Sequence, residues 1–307
     1  MGEDTMRWLI CGSVPDAAFP LTLCAWRFST GTLMPEGADA PPLAVQRGTP
    51  ALIAAACLTC RASGAAMPEA LLAGDTGSGE GSRRLYDYLS RRLEESAAAG
   101  DPLPDGLTFH YLYPDADGHN RVLMAVQGLS RRPLLVADAG YMYVAKMSGY
   151  AAEYDVFTPD SGELAFLADE NAPHPFYTRG FLLAEENDVP GLIRRAYAAG
   201  NAARFLLAKG ASDRIARDGE ILGEVSSPST PALEAVGGTG DLVTGILTGL
   251  LASGLPLREA CFGAARAARL AGSLAAPTPA TQIAEILPFV PEALGRAGLC
   301  SFPSADV

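Results

Sequence analysis

Short apolar runs alternate with helical segments along most of the chain, and this alternation restricts the fold more than any other feature. The runs at 70–73, 133–137 and 154–159 are each followed by a turn and then by a helical stretch. Strands that alternate with helices in this way pair in parallel through crossover connections. The sequence therefore predicts an α/β fold with a central, mostly parallel sheet. Because it shows no internal repeat or linker, it favours a single domain over residues 1–307.

The two ends of the chain and one hairpin depart from this pattern. Residues 1–45 are rich in Pro, Gly and Thr and are expected to form an N-terminal extension or lid with a short strand at 6–12. The Asp218-Gly219 dipeptide predicts a β-hairpin, because it favours a tight two-residue turn. Residues 276–307 are expected to form a short C-terminal helix, from about Gln282, and a tail.

Composition and charge limit the partners. The 307 residues are 49% hydrophobic and carry a formal net charge of −12, so we expect a sizeable core and neither nucleic acid nor an anionic membrane as main partner. No apolar run reaches the length of a membrane span and no signal peptide is indicated, so the cytoplasm is the expected location. The six cysteines form no disulfide framework. For the Cys57-x-x-Cys60 pair, buried reduced thiols compete with a redox or metal site.

One glycine-rich segment ahead of a helix combines a flexible backbone, a helix start and a carboxylate. Gly237, Gly238 and Gly240 lack a Cβ atom, so the backbone can take positive φ angles and come close to a ligand. The helix that follows leaves N–H groups unpaired at its positive end, which suits a phosphate. Asp241 lies in the first turn, where it could accept a proton from a hydroxyl in phosphoryl transfer. The alternative is a helix start capped by Thr239 or Asp241.

A second glycine-rich loop follows the apolar run at 70–73. Gly74, Gly77 and Gly79 stand between that run and a helix, an arrangement that also suits phosphate groups. The loop matches neither the Walker P-loop nor the full dinucleotide fingerprint, and it contains the acidic Asp75. A substrate or nucleotide loop and a tight strand-to-helix turn are therefore both open.

Further acidic residues follow two predicted strands. Asp138 comes directly after the strand at 133–137 and would point into the crevice where α/β sheets bind ligands. Asp160 and Glu163 are three residues apart at the next strand-to-helix junction. They could hold Mg²⁺ through water molecules, or they could form a capping box in which each side chain binds the backbone N–H of the other residue.

Four segments, taken in chain order, resemble motifs of the ADP/ATP-dependent NAD(P)H-hydrate dehydratase family of the ribokinase-like superfamily. The resemblance covers about residues 48–275. The matching segments are Gly48-Thr49-Pro50-Ala51 with its Ala-rich helix, Ala73–Gly79, Thr158-Pro159-Asp160-Ser161-Gly162-Glu163-Leu164, and Lys209-Gly210 with Gly237-Gly238-Thr239-Gly240-Asp241. The third is similar to the family's T-P-H-x-G-E-[FL]. The last pair is similar to its L-K-G and G-G-T-G-D, and it is the most specific.

The resemblance implies a three-layer α/β/α fold of the ribokinase-like type, with ADP or ATP and Mg²⁺ as cofactors. Asp241 would be the catalytic base. The anion hole would consist of Gly237, Gly238, Thr239 and Gly240, of which Gly238 and Gly240 would also bind the nucleotide. The other implied site residues are Lys209 and Gly210 for the nucleotide, Asp138, Gly74, Gly77 and Gly79 for the substrate, and Asp160 and Glu163 for the metal.

The resemblance also implies a reaction, in which a small-molecule hydroxyl gives its proton to Asp241 and takes the terminal phosphoryl group of ADP or ATP. In the dehydratase the hydroxyl belongs to hydrated NAD(P)H, and loss of the phosphate restores the double bond. The alternatives are a kinase for a sugar-like or vitamin-like alcohol and a nucleotide-binding protein without catalysis. Asp160 stands where the family has His, so the substrate is less constrained than the fold. The Ala-rich helices could pack between chains, which leaves a homo-oligomer open.

Overall fold

The structure, a computed structural model, describes residues 6–172 and 188–300, and its strands and helices alternate as the sequence predicts. The strands are β1 (Trp8–Val14), β2 (Thr22–Ser29), β3 (Thr32–Glu36), β4 (Leu43–Ala44), β5 (Glu69–Gly74), β6 (Gly106–His110), β7 (Leu134–Ala137), β8 (Val156–Phe157), β9 (Phe205–Ala208), β10 (Asp213–Arg217) and β11 (Glu220–Val225). The α-helices are α1 (Thr49–Ser63), α2 (Glu80–Ala99), α3 (Ala116–Gln127), α4 (Gly140–Met147), α5 (Ser161–Ala168), α6 (Val189–Ala198), α7 (Thr239–Ala252), α8 (Leu257–Leu274), α9 (Ile283–Ile286) and α10 (Val290–Arg296). Single 3₁₀ turns occupy Ala151–Glu153, Pro231–Ala235 and Leu287–Phe289.

The described residues divide into two compact units. The first unit comprises residues 6–10, 22–70 and 225–300, and the second comprises residues 11–21, 71–172 and 188–224. The expectation of a single domain over residues 1–307 stays a prediction. In neither unit does a described helix combine the length and the apolar character needed to cross a membrane.

The second unit contains a mostly parallel sheet. Its strands follow the order β11-β10-β9-β8-β7-β6, and the four strands from β6 to β9 pair in parallel. All of β6 and β9 is buried, as expected for parallel strands that are covered on both faces. Strand β10 runs antiparallel to β9 and turns at Asp218-Gly219 into β11, so the hairpin prediction is confirmed. The predicted α/β class is also confirmed.

The first unit holds an antiparallel meander, of which the sequence indicates only a strand fragment at Trp26-Arg27-Phe28, within β2. Strands β2, β3 and β4 pair in antiparallel order, within the segment expected to be an extension or lid. Buried and more exposed residues alternate along β2, which is typical of a strand with one face on the core. The turn between β2 and β3 places Thr30 and Gly31 at positive φ angles of 49° and 77°. Such turns are usually signalled by Asn-Gly or Asp-Gly, so Thr-Gly was missed.

One predicted helix boundary is wrong. The sequence Pro114-Asp115-Ala116-Asp117-Gly118 predicts a turn followed by a helix from about Asn120, but α3 already begins at Ala116. Asp115 caps this helix, because its side chain accepts a hydrogen bond from the Gly118 N–H at 2.9 Å. Asp115 is therefore the N-cap of the helix, and Asp117 lies in its first turn.

Helices α1 and α7 of the first unit pack at backbone contact. A Cβ atom on Gly245 would lie 2.3 Å from the Leu52 carbonyl oxygen, and one on Gly249 would lie 2.5 Å from the Thr59 Cβ. Two glycines four residues apart on α7 thus let the α1 backbone come close. The Cys57 and Cys60 thiols of α1 donate to different backbone carbonyls, those of Trp26 and Gly249.

The contact between α1 and α7 predicts the effect of a single methyl group. We expect Gly245→Ala to lower the free energy of unfolding by about 1–3 kcal/mol, because overpacking outweighs the gain in helix propensity. Urea unfolding followed by circular dichroism measures this change. The control is Gly128→Ala, whose Cβ would meet its nearest neighbour at 3.5 Å and should change stability by less than about 0.5 kcal/mol. Equal effects of the two substitutions would contradict the packing argument.

Candidate functional site

Charged and polar side chains follow the parallel strands of the second unit. His110 ends β6, Asp138 follows β7, Asp160 and Glu163 lie at the start of α5 after β8, and Lys209 follows β9. The carboxyl ends of parallel strands meet at one edge of a sheet, which is where ligands bind in open α/β folds. Four of the residues predicted for the site therefore lie along one sheet edge.

Asp138 and Lys209 form a buried ion pair at this edge. The Lys209 Nζ lies 2.9 Å from Oδ1 and 3.0 Å from Oδ2 of Asp138, and the two side chains are only 11% and 2% exposed. Burial alone would lower the pKa of Lys209, but the carboxylates of Asp138 and Glu163 outweigh it and raise this pKa above the ordinary value. The ammonium group therefore stays charged. The buried His110 adds a ring nitrogen 4.0 Å from the Asp138 carboxylate.

Asp160 and Glu163 form a capping box, one of the two arrangements that their spacing predicts. The Asp160 N–H donates to Oε2 of Glu163, and the Glu163 N–H donates to Oδ1 of Asp160, both at 2.8 Å. Desolvation raises the pKa of Glu163 to about 8; Lys209 opposes this shift, whereas Asp160 adds to it. Carboxylate oxygens can accept more than one bond, so the capping box and a metal role are compatible. The metal role stays a prediction.

Two residues of this edge escaped the sequence reasoning. Tyr143, on α4, directs its hydroxyl toward Oε1 of Glu163 at 3.5 Å, and its ring stands edge-on to Phe166 with centroids 5.2 Å apart. Ala139 precedes α4 with φ 52° and ψ −137°, a region that strains a residue with a Cβ atom. Strain of this kind concentrates at functional sites. Neither residue belongs to a recognisable motif. The position of Tyr143 on a helix that follows a predicted strand is the one sequence signal that could have indicated its place at this edge.

The glycine loop at 74–79 is organised around its own acid. The Asp75 carboxylate accepts hydrogen bonds from the N–H groups of Gly77, Gly79 and Ser82 and from the Ser82 hydroxyl, at 2.7–3.1 Å. Burial would raise the pKa of Asp75, but these bonds outweigh it and lower the pKa below its ordinary value. Gly74 is needed for packing, since a Cβ atom there would meet the Asp16 carbonyl oxygen at 1.8 Å. The substrate role of Gly74, Gly77 and Gly79 stays a prediction.

In the first unit, Asp241 is the third residue of α7 and is 8% exposed. Its Oδ2 accepts a hydrogen bond of 2.6 Å from the N–H of Gly48, the residue that precedes α1. Gly48 has φ 70° and ψ −151°, a conformation that favours glycine. The start of α1 thus holds the carboxylate that the sequence singled out.

The backbone ahead of Asp241 has the predicted bend. Gly238 is the N-cap of α7 in the left-handed region, with φ 98°, and no side chain caps the helix there. A helix start capped by Thr239 or Asp241 is therefore not what the structure has. Gly237 faces the side chain of Arg47, whose Cδ would lie 3.8 Å from a Cβ atom on Gly237. The anion-hole role of Gly237, Gly238, Thr239 and Gly240, and the nucleotide role of Lys209 and Gly210, remain predictions.

The fold is that of the ribokinase-like superfamily. A ribokinase-like superfamily protein from Enterococcus faecalis is 17% identical with a TM-score of 0.58, over 97% of this chain and 92% of that one. An ADP/ATP-dependent NAD(P)H-hydrate dehydratase from Bacillus subtilis, co-crystallized with ATP/Mg²⁺, is 16% identical with a TM-score of 0.54, over 95% of this chain and 89% of that one. The pyridoxal kinase from Staphylococcus aureus, in complex with AMP-PCP and pyridoxal, is 12% identical with a TM-score of 0.52, over 87% of each chain.

The chain belongs to the NAD(P)H-hydrate dehydratase family. The model of that family matches residues 118–288, which is more than half of the 307 residues. An uncharacterized protein from Methanocaldococcus jannaschii is 35% identical over 222 residues, which cover 72% of this chain and 88% of that protein. The family and the fold predicted from the motifs are thereby confirmed.

The buried ion pair predicts a coupled effect on stability. We expect Lys209→Met to lower the free energy of unfolding by about 3–5 kcal/mol, because it leaves the Asp138 carboxylate buried without its cation. Asp138→Asn in the Lys209→Met background should recover part of this loss. Urea unfolding of the single and double variants measures the coupling.

The control for this cycle is Arg296→Met, which breaks the exposed pair with Glu292 on α10. That change should cost less than about 1 kcal/mol. A cost for Lys209→Met no greater than the control would contradict a buried, mutually dependent pair.

The raised pKa of Glu163 predicts a pH-dependent gain in stability on substitution. Between about pH 5 and pH 8 the folded state holds a proton that the unfolded state has released, so this group lowers stability as pH rises. Glu163→Gln keeps the capping acceptor and removes the titration. Its free energy of unfolding relative to the original chain should therefore increase steadily over that range, as measured by urea unfolding at several pH values.

The matched control is Glu285→Gln, in the exposed capping box that Glu285 forms with Gln282 at α9. It makes the same substitution in an exposed capping box and so measures the cost of replacing a capping carboxylate by an amide. A Glu163→Gln difference that does not vary with pH would refute the raised pKa of Glu163.

Proposed function

We propose that the protein catalyses nucleotide-dependent transfer of a phosphoryl group to a small-molecule hydroxyl, as an ADP/ATP-dependent NAD(P)H-hydrate dehydratase. The observation that carries the proposal is the held carboxylate of Asp241 in the first turn of α7, directly behind the glycine bend, in a chain of the dehydratase family. The base, the anion-binding backbone and the nucleotide residues each have support in the geometry of their own unit.

Asp241 is the proposed general base. A base must keep one orientation and stay within hydrogen-bond reach of the proton that it takes. The 2.6 Å bond from the Gly48 N–H supports the first condition, because it fixes one carboxylate oxygen. The carboxylate is largely buried, which strengthens its electrostatic interactions relative to water.

The backbone of Gly237, Gly238, Thr239 and Gly240 is the proposed anion hole. The positive φ of Gly238 turns the chain into α7, whose first N–H groups and helix dipole favour negative charge. These donors would stabilise the charge on the transferred phosphoryl group without reorganisation. The exposed Arg47, whose side-chain carbons lie beside Gly237, brings a positive charge close to the same segment.

Besides Gly238 and Gly240 of the first unit, the proposed nucleotide residues are Lys209 and Gly210 of the second unit, which also supplies the proposed substrate and metal residues. Carboxylate oxygens are the donors that Mg²⁺ prefers, so Asp160 and Glu163 fit this ion chemically, with Asp138 for the substrate or the metal. When bound, Mg²⁺ would neutralise charge on the phosphates of the nucleotide. Lys209 holds Asp138 in place and keeps a positive charge at the nucleotide side, where Gly210 follows it.

The proposed reaction has two stages, phosphoryl transfer and loss of phosphate. In the first, the substrate hydroxyl gives its proton to Asp241, its oxygen forms a bond to the terminal phosphorus of ATP or ADP, and the bond to the leaving nucleotide breaks. In the second, the carbon–oxygen bond of the hydrated nicotinamide ring breaks and inorganic phosphate leaves with the bonding electrons. The neighbouring ring carbon then loses a proton to water, and the electrons of that carbon–hydrogen bond form the ring double bond. A kinase acting on a sugar-like or vitamin-like alcohol would stop after the first stage. Because Asp160 stands where the family has His, the substrate is less constrained than the fold, and this second candidate stays open.

Substitution of the base tests the proposal. We expect Asp241→Asn to lower kcat by roughly 10²–10⁴-fold while the nucleotide still binds, because it removes proton acceptance and little volume. The assay follows the recovery of NADH absorbance from hydrated NADH with ADP or ATP and Mg²⁺. Asp218→Asn in the exposed hairpin turn is the matched control and should retain full activity.

Two results would contradict this proposal. Full activity of Asp241→Asn would remove the base assignment. Nucleotide turnover with another alcohol, together with no NADH recovery, would assign the protein to the kinases.

A further inference from the structure

Two exposed tyrosines follow β6 at the sheet edge of the second unit. Tyr111 is 51% exposed and Tyr113 is 45% exposed, although both follow a fully buried strand. Exposed aromatic rings at the ligand-binding edge of an α/β sheet are candidates for ring recognition. Neither tyrosine has a role in the reaction as proposed.

The backbone that carries these rings is strained and firmly held. Tyr111 has a φ of 53°, in the left-handed region that L-residues with a Cβ atom rarely adopt. The Ser13 hydroxyl donates to the Tyr111 carbonyl at 2.5 Å, and the Tyr86 hydroxyl donates to the Tyr113 carbonyl at 2.9 Å. The Tyr113 N–H donates to the Ser82 hydroxyl at 2.9 Å. A glycine at position 111 would avoid the strain, so the tyrosine at this position costs stability.

Tyr111 lies beside the acidic residues of the edge. The His110 ring stands nearly perpendicular to the Tyr111 ring, at 78°, with centroids 4.3 Å apart. His110 in turn adjoins Asp138. The pKa of Tyr143 is raised, first by burial and then by Glu163, and the nearby Tyr111 adds to the shift. The Tyr111 ring is therefore close to the side chains proposed for the metal and the substrate.

We infer that Tyr111 stacks on a planar nitrogen heterocycle of a bound ligand and so determines which ligand this edge accepts. The inference rests on the proposed function, which brings two ligands with such rings, the nucleotide and the nicotinamide dinucleotide. The surrounding acids disfavour a bare anion at this position, whereas a neutral or cationic ring has no such penalty. Aromatic stacking contributes binding energy without a hydrogen-bond pattern, which is why no sequence motif marks it.

The test combines stability with direct binding. We expect Tyr111→Gly to raise Tm by roughly 2 °C through relief of the positive φ, and to weaken binding of one ring-bearing probe by roughly tenfold through loss of stacking. Tyr111→Phe keeps the ring and should bind that probe within about twofold of the original chain. The control Thr30→Gly relieves a φ of 49° at an exposed turn of the first unit and should change no affinity.

Calorimetric titration with ATP and Mg²⁺, and separately with NADH, identifies the source of the ring. If Tyr111→Gly loses affinity for ATP alone, Tyr111 stacks on the nucleotide. If it loses affinity for NADH alone, Tyr111 stacks on the dinucleotide. Either result supports the inference. Unchanged affinity for both probes, or an equal loss in Tyr111→Phe, overturns it. Because the titration needs no turnover, a Tyr111-dependent affinity together with no dehydratase activity would reject the proposed function and leave the stacking role standing.

Discussion

The Asp241 carboxylate owes its position to two helices that pack at backbone contact. Asp241, Gly245 and Gly249 are spaced four residues apart on α7, so they share one helix face, and that face meets α1. The glycines bring the α1 backbone within reach, and the same approach puts the Gly48 N–H 2.6 Å from the acid. Larger side chains on this face would separate the helices and lengthen that bond. Packing and candidate chemistry therefore depend on one stripe of small residues.

In the second unit, an ion pair holds the carboxylate of Asp138, whereas in the first unit helix packing positions that of Asp241. One lysine, Lys209, is bonded to Asp138 and also acts electrostatically on Glu163, so that the acids at the sheet edge share a single ammonium group. Desolvation, together with the neighbouring carboxylates of Asp160 and Asp138, outweighs the attraction of Lys209, so the proton on Glu163 is held more tightly than in water. A divalent cation would offset the repulsion between these carboxylates, which is the electrostatic argument for metal binding at Asp160 and Glu163.

Much of the fold could be predicted, because it follows from local patterns. Buried apolar runs indicated the parallel strands, and the glycine bend indicated the start of α7 with Asp241 in its first turn. The antiparallel meander was missed because its turn uses Thr30 instead of a residue that tolerates positive φ easily. Tyr111 and Tyr143 were missed for another reason: their roles depend on which strand end lies next to which, and that neighbourhood is a property of the folded sheet.

The two glycine-rich segments, at 74–79 and 237–240, differ in where their acidic residue stands. Both lead from an extended or bent backbone into a helix, yet their acids stand in different places relative to the helix start. Asp75 precedes Gly77 and Gly79, so the loop folds back around the carboxylate and the N–H groups of these two glycines bind the chain's own anion. Asp241 follows its glycines and lies inside the helix, so its carboxylate is presented to the start of α1. The order of acid and glycine, more than the number of glycines, therefore decides whether such a segment serves the fold or is suited to an external phosphate.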